Sequence, residues 1–284
     1  MNISNVGIVG CGVMGSGLGQ LCAQKGCNVI ICEKNEAVLK KGFDSIRSDL
    51  SRLMKAGRLS RSDNDNILKR IKGTCEFKDF STCDLVIEAV TEDLDLKKKI
   101  FKELDSICPE QTILTSNTSV LPIIEMAGQT SRQERVLGTH FLTPPQIIPL
   151  VEVIRTLKTD EAVVKTVVEF CRHLGKQVVI SSDSPGFIVN RILTAILLNA
   201  VRLLEEGVAT KEDIETAVKV GLGLPMGPFE LLDLIGLDTI VLGTDALFKE
   251  LNDPQYDCPL KIRRMVSAGW LGRKSGKGFY EYSA

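Results

Sequence analysis

Residues 6–33 read VGIVGCGVMGSGLGQLCAQKGCNVIICE, and this stretch decides the fold. A β-branched run at residues 6–9 leads into the turn Gly10-Cys11-Gly12-Val13-Met14-Gly15, and residues 16–25 then have the pattern of a helix. A second β-branched run follows at residues 29–32. The order of strand, glycine-rich turn, helix and strand is typical of the first βαβ unit of a dinucleotide-binding sheet.

The three glycines of this turn have different physical roles. Gly10 allows the tight turn, Gly12 lets a pyrophosphate approach the backbone, and Gly15 permits close contact between helix and strand. The amides at the helix start, beside Val13 and Met14, face a bound phosphate. A glycine turn that serves packing alone is the alternative interpretation.

The residue after the second strand indicates which cofactor binds. Glu33 stands about 20 residues beyond the turn, where an acidic side chain accepts hydrogen bonds from a ribose 2′-hydroxyl and repels a 2′-phosphate. The neighbouring Lys34 works against this preference. The sequence therefore predicts NAD rather than NADP.

Further apolar runs alternate with amphipathic segments and predict a parallel sheet wrapped by helices; they lie at residues 85–87, 112–115, 136–139, 151–154 and 177–181. Residues 36–71 predict a long helical insert, broken near Gly57. The polar side of this insert is basic, with the cations Arg47, Arg52, Lys55, Arg58 and Arg61. This basic side is either an ordinary solvated helix face or a phosphate-binding surface.

Beyond residue 184 the pattern is helical throughout. Residues 187–206 carry an apolar surface too broad for a helix on a monomer surface, which predicts burial in a core or a subunit interface. A second helix is capped by Thr210, with Asp213 at the capping-box position, and a third follows Pro228. The predicted fold class is α/β: a Rossmann-like NAD-binding domain with a long helical insert (1–184), followed by an all-α C-terminal domain (185–284).

Composition excludes several classes of partner. In the 284 residues, 35 Lys and Arg nearly balance 36 Asp and Glu, so no overall field attracts nucleic acid or an acidic membrane. Nine scattered cysteines without a CxxC pair predict reduced thiols in a cytoplasmic protein and no metal site. The N-terminus lacks a signal-peptide pattern, and no apolar run approaches a membrane span.

The chain has two histidines, so candidates for a general base near neutral pH are few. His140 follows the predicted strand at 136–139, and ligands bind at the carboxyl ends of such strands. His173 lies in an amphipathic stretch and is interpreted as a surface residue. Glu152, within an apolar run, is either the carboxylate partner that orients the His140 imidazole or a solvent-facing strand residue. The sequence spacing between His140 and Glu152 favours neither interpretation.

Two polar clusters are further candidates for substrate contacts. Ser116-Asn117-Thr118-Ser119 follows the strand at 112–115, and Asn190 lies one helical turn after Pro185-Gly186. Their hydroxyl and amide groups either hold a substrate oxygen or serve as caps and turns.

Seven ordered motifs together resemble the 3-hydroxyacyl-CoA dehydrogenase family, particularly its bacterial 3-hydroxybutyryl-CoA members. They are the glycine turn, SNTS (116–119), GTHF (138–141), PLVEVI (149–154), PGFIVNR (185–191), GLPMGPFELLD (223–233) and GWLGRKSGKGFYEY (269–282). The resemblance implies NAD-dependent interconversion of an (S)-3-hydroxyacyl-CoA and its 3-ketoacyl-CoA by a homodimer formed through the helical domain.

The resemblance also implies roles for individual residues. His140 is the general acid/base and Glu152 its orienting partner, while Ser119 and Asn190 hold the C3 oxygen and thioester region. Further positions match nucleotide contacts, with Ser119 also close to the nicotinamide; they are Glu33, Glu92, Lys97, Thr143 and Lys274. An acyl-CoA brings phosphates that the basic insert is suited to hold.

Two residues depart from the family pattern. Thr143 replaces an asparagine near nicotinamide and substrate, and Pro149 replaces a lysine. The segments Pro144-Pro145 and Pro149-Leu150-Val151-Glu152 are more similar to relatives that act on carnitine or gulonate, so a dehydrogenase for a hydroxy compound without CoA is one alternative. A crystallin-like protein that binds NAD without turnover is the other. The C-terminal motif, the basic insert, and the presence of both His140 and Glu152 favour the CoA-dependent enzyme.

Overall fold

The computed structural model describes residues 3–282, so the predicted domain limits at residues 1 and 284 lie outside the described part. The chain divides into two compact units, Met1–Ser184 and Pro185–Ala284. Within residues 3–282, no helix combines the length and the apolar character needed to cross a membrane.

The N-terminal unit contains one sheet, whose strands in its described part run in the order β3-β2-β1-β4-β5-β6-β7-β8. The strands are β1 Asn5–Val9, β2 Asn28–Cys32, β3 Ile71–Thr74, β4 Leu85–Glu88, β5 Ile113–Ser116, β6 Val136–Phe141, β7 Leu150–Arg155 and β8 Gln177–Ser182. The helices are α1 Val13–Gln24, α2 Glu36–Lys55, α3 Arg61–Lys69, α4 Leu94–Ile107, α5 Ile123–Ala127 and α6 Glu161–His173.

The central strands are apolar because helices cover both faces of the sheet. Val6, Ile8 and Ile87 are fully buried, and helix α1 packs on the sheet through Leu18. The Rossmann-like α/β prediction is confirmed. The expectation of a parallel sheet throughout is wrong at one place, because β6 and β7 pair antiparallel.

The helical insert is present, with α2 and α3 separated around Gly57, whose φ is +67°. The predicted end of the insert at residue 71 is wrong, since α3 ends at Lys69 and Ile71 begins β3. This edge strand, with the sequence IKGT, buries Ile71 alone among its four residues, so it carries no apolar run. It forms because its backbone pairs with β2.

The C-terminal unit is helical, with α7 Val189–Glu205, α8 Lys211–Thr216, α9 Pro228–Ile235, α10 Leu237–Leu251 and α11 Leu260–Ser267. Its core includes Leu198, Val201, Phe229, Leu232 and Ile262. The first of these helices starts two residues later than predicted, because Phe187 has a φ of +47°, which is not helical.

Local sequence signals set the starts of two of these helices. The Thr210 side chain accepts a hydrogen bond from the Asp213 amide, as the capping prediction requires. Pro228 occupies the first turn of α9, where its missing N–H is tolerated.

Candidate active site

The glycine turn combines two packing constraints with one open position. A Cβ on Gly15 would lie 1.9 Å from the Gly10 carbonyl oxygen, and Gly10 itself has a φ of +99°. A Cβ on Gly12 would meet no atom within 4 Å. Gly10 and Gly15 are therefore required by the turn itself, whereas Gly12 leaves open space at the start of α1, where a pyrophosphate can approach the backbone.

Glu33 is fixed against this turn. Its Oε2 accepts a hydrogen bond from the Cys11 amide at 2.9 Å, and its Oε1 accepts one from the Lys34 amide at 2.7 Å. Burial, and secondarily the charge of Glu33, raise the pKa of the Cys11 thiol to about 11, so this thiol stays protonated at neutral pH. The carboxylate is thus oriented before any nucleotide binds, and the residues present fit NAD.

His140 and Glu152 form a buried pair. Their Nδ1 and Oε2 atoms are 2.6 Å apart, His140 is 3 % exposed and Glu152 is fully buried. The two residues stand directly opposite each other in the antiparallel β6–β7 ladder, where side chains on one face meet. The alternative of a solvent-facing Glu152 is wrong, and His140 lies within β6 as its penultimate residue rather than after the strand.

The other histidine has a different environment. His173 is exposed at the end of α6, and its Nε2 lies 2.9 Å from the Lys25 carbonyl oxygen. The interpretation of His173 as a surface residue is therefore confirmed.

A buried network organises the segment 116–119. Glu88, at the end of β4, accepts hydrogen bonds from the Lys97 ammonium and the Ser116 hydroxyl, each at 2.6 Å. Glu92 accepts from the Thr118 hydroxyl at 2.5 Å, and the Lys97 ammonium lies 3.4 Å from its other oxygen. Lys97 is 1 % exposed, so in the free protein its charge is neutralised by two carboxylates.

The same segment is hydrogen-bonded to the strand that carries His140. Asn117 Oδ1 accepts a hydrogen bond from the Phe141 amide at 2.9 Å, and the Ser119 amide donates to Glu92 at 2.8 Å. The hydroxyl of Ser119 has no hydrogen-bond partner among residues 3–282, in contrast to those of Ser116 and Thr118. Ser116 belongs to β5 and not to the loop after it, which corrects the predicted strand end.

Thr143 lies beside the glycine turn, with its hydroxyl 2.9 Å from the Met14 sulfur. The structure therefore brings together, within the N-terminal unit, the loop after His140 and the start of α1.

The basic insert is partly neutralised by its own carboxylates. Arg47 pairs with Asp44 and Arg52 with Asp49, each one helical turn apart. No acidic partner lies within ion-pair distance of the exposed side chains of Lys55, Arg58 and Arg61 in the described part of the chain. Three cations around the α2–α3 turn are thus available to an anion.

In the C-terminal unit, Asn190 lies in the first turn of α7. Lys274 donates to Asp238 at 2.7 Å, and hydrogen bonds from Lys274 and from backbone amides hold the pKa of Asp238 below its usual range against the effect of burial.

Asp233 is a buried carboxylate that was not among the predicted site residues. It is 1 % exposed and accepts hydrogen bonds from the Phe279 and Tyr280 amides, both at 2.9 Å. It also accepts one from the Tyr282 hydroxyl at 3.0 Å. Its position at the end of the GLPMGPFELLD motif was the available signal.

Comparison with known proteins decides the family. The family model for the NAD binding domain of 3-hydroxyacyl-CoA dehydrogenase matches residues 5–184, and the model for the C-terminal domain of the same enzyme matches residues 186–282. The chain belongs to the 3-hydroxyacyl-CoA dehydrogenase family. The protein is accordingly an oxidoreductase whose cofactor is NAD.

Individual members of the family are similar over their whole length. A 3-hydroxybutyryl-CoA dehydrogenase of Mycobacterium tuberculosis is 46 % identical over 282 residues, covering 99 % of each chain. A probable 3-hydroxybutyryl-CoA dehydrogenase of Bacillus subtilis is 40 % identical, covering 99 % of this chain and 98 % of its own. The crystal structure of (S)-3-hydroxybutyryl-CoA dehydrogenase PaaH1 from Ralstonia eutropha matches with a TM-score of 0.97 at 43 % identity over the full length of both chains.

Proposed function

We propose that the protein interconverts (S)-3-hydroxybutyryl-CoA, or another short 3-hydroxyacyl-CoA, and acetoacetyl-CoA, or the matching 3-ketoacyl-CoA, using NAD(H). The buried His140–Glu152 pair carries the proposal, because a general base held by a carboxylate is what oxidation of a secondary alcohol requires. The similarity to full-length 3-hydroxybutyryl-CoA dehydrogenases supports the substrate.

In this proposal, one ring nitrogen of His140 exchanges the proton with the substrate. Because Glu152 is an acceptor at 2.6 Å, Nδ1 carries the hydrogen, and Nε2 is the atom that takes the C3-hydroxyl proton. The buried carboxylate stabilises the imidazolium that results. In the reverse direction the imidazolium returns this proton to the C3 oxygen. Bound NAD would supply the acceptor for the hydride that leaves C3.

The remaining predicted residues orient the reactants in this proposal. Ser119 would offer its hydroxyl to the C3 oxygen and would contact the nicotinamide, and Asn190 would hold the thioester region. Gly12 and Glu33 bind the pyrophosphate and the adenosine ribose, with Lys274 as a further nucleotide contact.

Glu92 and Lys97 are proposed to act on the cofactor by fixing the segment 116–119, since Lys97 is buried between two carboxylates. Thr143 is proposed to meet the cofactor from the loop beside Met14.

The three available cations around the α2–α3 turn are proposed to hold the CoA phosphates. A double substitution, Lys55→Ser with Arg58→Ser, should raise KM for acetoacetyl-CoA roughly fivefold, and less at high salt, because exposed charges are screened. Asp44→Ser with Arg47→Ser is the matched control, since it removes both members of an ion pair on the same helix and leaves the net charge unchanged. An equal rise in KM in the control, or a rise in KM for NADH, would contradict this assignment.

We also infer that two copies associate through the C-terminal unit. Large apolar side chains of this unit are exposed, including Ile192 (59 %), Val220 (75 %) and Leu242 (73 %), and burying such side chains favours association. Light scattering at micromolar concentration tests the dimer, and a monomeric mass contradicts it.

We further propose that the protein works in the cytoplasm in fatty acid metabolism. Cysteines without disulfides support a reducing compartment.

The reaction is tested by following NADH absorbance with acetoacetyl-CoA, with carnitine and gulonate plus NAD in separate assays. We expect rapid NADH oxidation with the thioester alone. Activity on a free hydroxy acid without turnover of any acyl-CoA would replace this proposal by the carnitine or gulonate type that Thr143 and Pro149 suggest. Absence of turnover with every substrate would favour the crystallin-like alternative.

A further inference from the structure

Lys176 is a buried cation without an assigned role in the site. Its side chain ammonium donates hydrogen bonds to the carbonyl oxygens of Pro145 at 2.5 Å and Ile148 at 2.7 Å, and the residue is 7 % exposed. Both carbonyls belong to the loop 142–149, about 30 residues earlier in the chain. A buried charge that binds two carbonyls of a distant loop fixes the position of that loop.

The backbone of Lys176 is itself fixed by the end of helix α6. Gly175 has a φ of +85° and its amide donates to the Arg172 carbonyl, while the Lys176 amide donates to the Cys171 carbonyl at 3.1 Å. These two bonds form a Schellman motif, which ends the helix and determines where the next residue points. The ammonium therefore extends from a rigid base.

The loop 142–149 connects the two strands that carry His140 and Glu152. It also packs on helix α1, since a Cβ on Gly17 would lie 2.7 Å from the Pro145 ring, and Thr143 contacts Met14. Its position thus sets how the catalytic strand pair lies relative to the helix that begins at the glycine turn.

No other group replaces the ammonium. Within residues 3–282, neither the Pro145 nor the Ile148 carbonyl has a second hydrogen-bond donor, and no acidic side chain lies within ion-pair distance of Lys176. Burial, and secondarily the nearby Lys25, lower the pKa of Lys176. Among the described residues, the hydrogen-bond partners of the Lys176 side chain are these two carbonyl oxygens, so the contact acts on the loop.

We propose that Lys176 is a positioning residue for cofactor binding, which holds the loop 142–149 against the start of helix α1. This inference deepens the proposed function and rests on its use of NAD(H), but it does not depend on the identity of the acyl substrate.

The test measures NADH binding by fluorescence titration, in the absence of any acyl-CoA. Lys176→Met keeps the aliphatic stem and removes the donors, and we expect the Kd for NADH to rise about tenfold, since two buried carbonyls lose their partner and the loop shifts. Lys176→Arg keeps charge and donors and should stay within about threefold of the wild type. Lys25→Met removes a neighbouring exposed cation that does not touch the loop, and should leave the Kd unchanged.

A Lys176→Met protein with a lower Tm but an unchanged Kd would show a purely structural role and overturn the proposal, as would an equal loss of affinity in Lys25→Met. If Lys176→Met does not fold, Lys176→Gln, which keeps an uncharged donor, is judged by the same comparison. Failure of the proposed function is a separate result: NADH would bind normally to the wild type, with no turnover of acetoacetyl-CoA.

Discussion

Replacing Glu152 by glutamine tests the proposed role of the His140–Glu152 pair most directly. The substitution keeps the size of the side chain and removes its charge, 2.6 Å from His140 Nδ1 in a fully buried place. Two unit charges about 4 Å apart attract by about 4 kcal/mol at an effective dielectric constant of about 20. With about half of the charge developed in the transition state, the loss is about 2 kcal/mol, or roughly 30-fold in rate.

A second effect increases this loss. An amide can donate as well as accept, so a glutamine N–H facing Nδ1 forces the imidazole hydrogen onto Nε2, where the base must be unprotonated. We therefore expect Glu152→Gln to lower kcat by about 10²–10³-fold, with the Kd for NADH changed less than about twofold. The assay is NADH oxidation at saturating acetoacetyl-CoA, alongside a fluorescence titration of NADH.

Thr139→Val is the matched control. It removes the buried hydrogen bond from Thr139 to Thr115, 3.0 Å long, on the strand that carries His140. We expect it to lower stability by about 1 kcal/mol and to leave kcat within about threefold. A folded Glu152→Gln protein with kcat within about threefold of the wild type would refute the reasoning, and so would an equal loss in the control.

Three further predictions concern the acid/base and the cofactor site. His140→Gln should lower kcat by about 10²–10⁴-fold while NADH still binds, and near-normal turnover would exclude His140 as the acid/base. Gly15→Ala should destabilise the protein by about 3 kcal/mol or more in chemical denaturation, because the new methyl group meets the Gly10 carbonyl. Gly12→Ala should keep the stability of the wild type and lose affinity for NADH, because its methyl group enters open space. Equal stability of the two variants would contradict the packing argument. The wild type should prefer NADH over NADPH by at least about tenfold in kcat/KM, and Glu33→Ser should reduce that ratio; equal use of both cofactors by the wild type would disprove the role of Glu33.

Short-range physical chemistry made much of this protein predictable. The glycine turn needs particular backbone angles and a close approach of helix to strand, which only Gly10 and Gly15 permit, so its sequence reveals its structure. Apolar runs mark strands buried on both faces, and Thr210 and Pro228 mark helix starts through local hydrogen bonds. With two histidines in the chain, His140 could be predicted as the base without coordinates, and this assignment stays a prediction.

Other features required the tertiary structure, because they depend on partners distant in sequence. β3 forms through pairing with β2, and its own residues show no strand pattern. Lys97 is a polar residue on an amphipathic helix, and only the folded chain places it between Glu88 and Glu92. Lys176 is likewise an ordinary lysine in the sequence, and its role follows from two carbonyls about 30 residues away.

The sequence by itself determined the NAD-binding fold and left His140 as the candidate for the base, because glycine geometry and the scarcity of histidine are local properties. The spacing between His140 and Glu152 left the role of Glu152 open. The antiparallel pairing of β6 with β7 resolved only where the side chain lies: it places Glu152 opposite His140, and both residues are buried. Strand direction is set by the whole sheet, and no pattern within either strand specifies it.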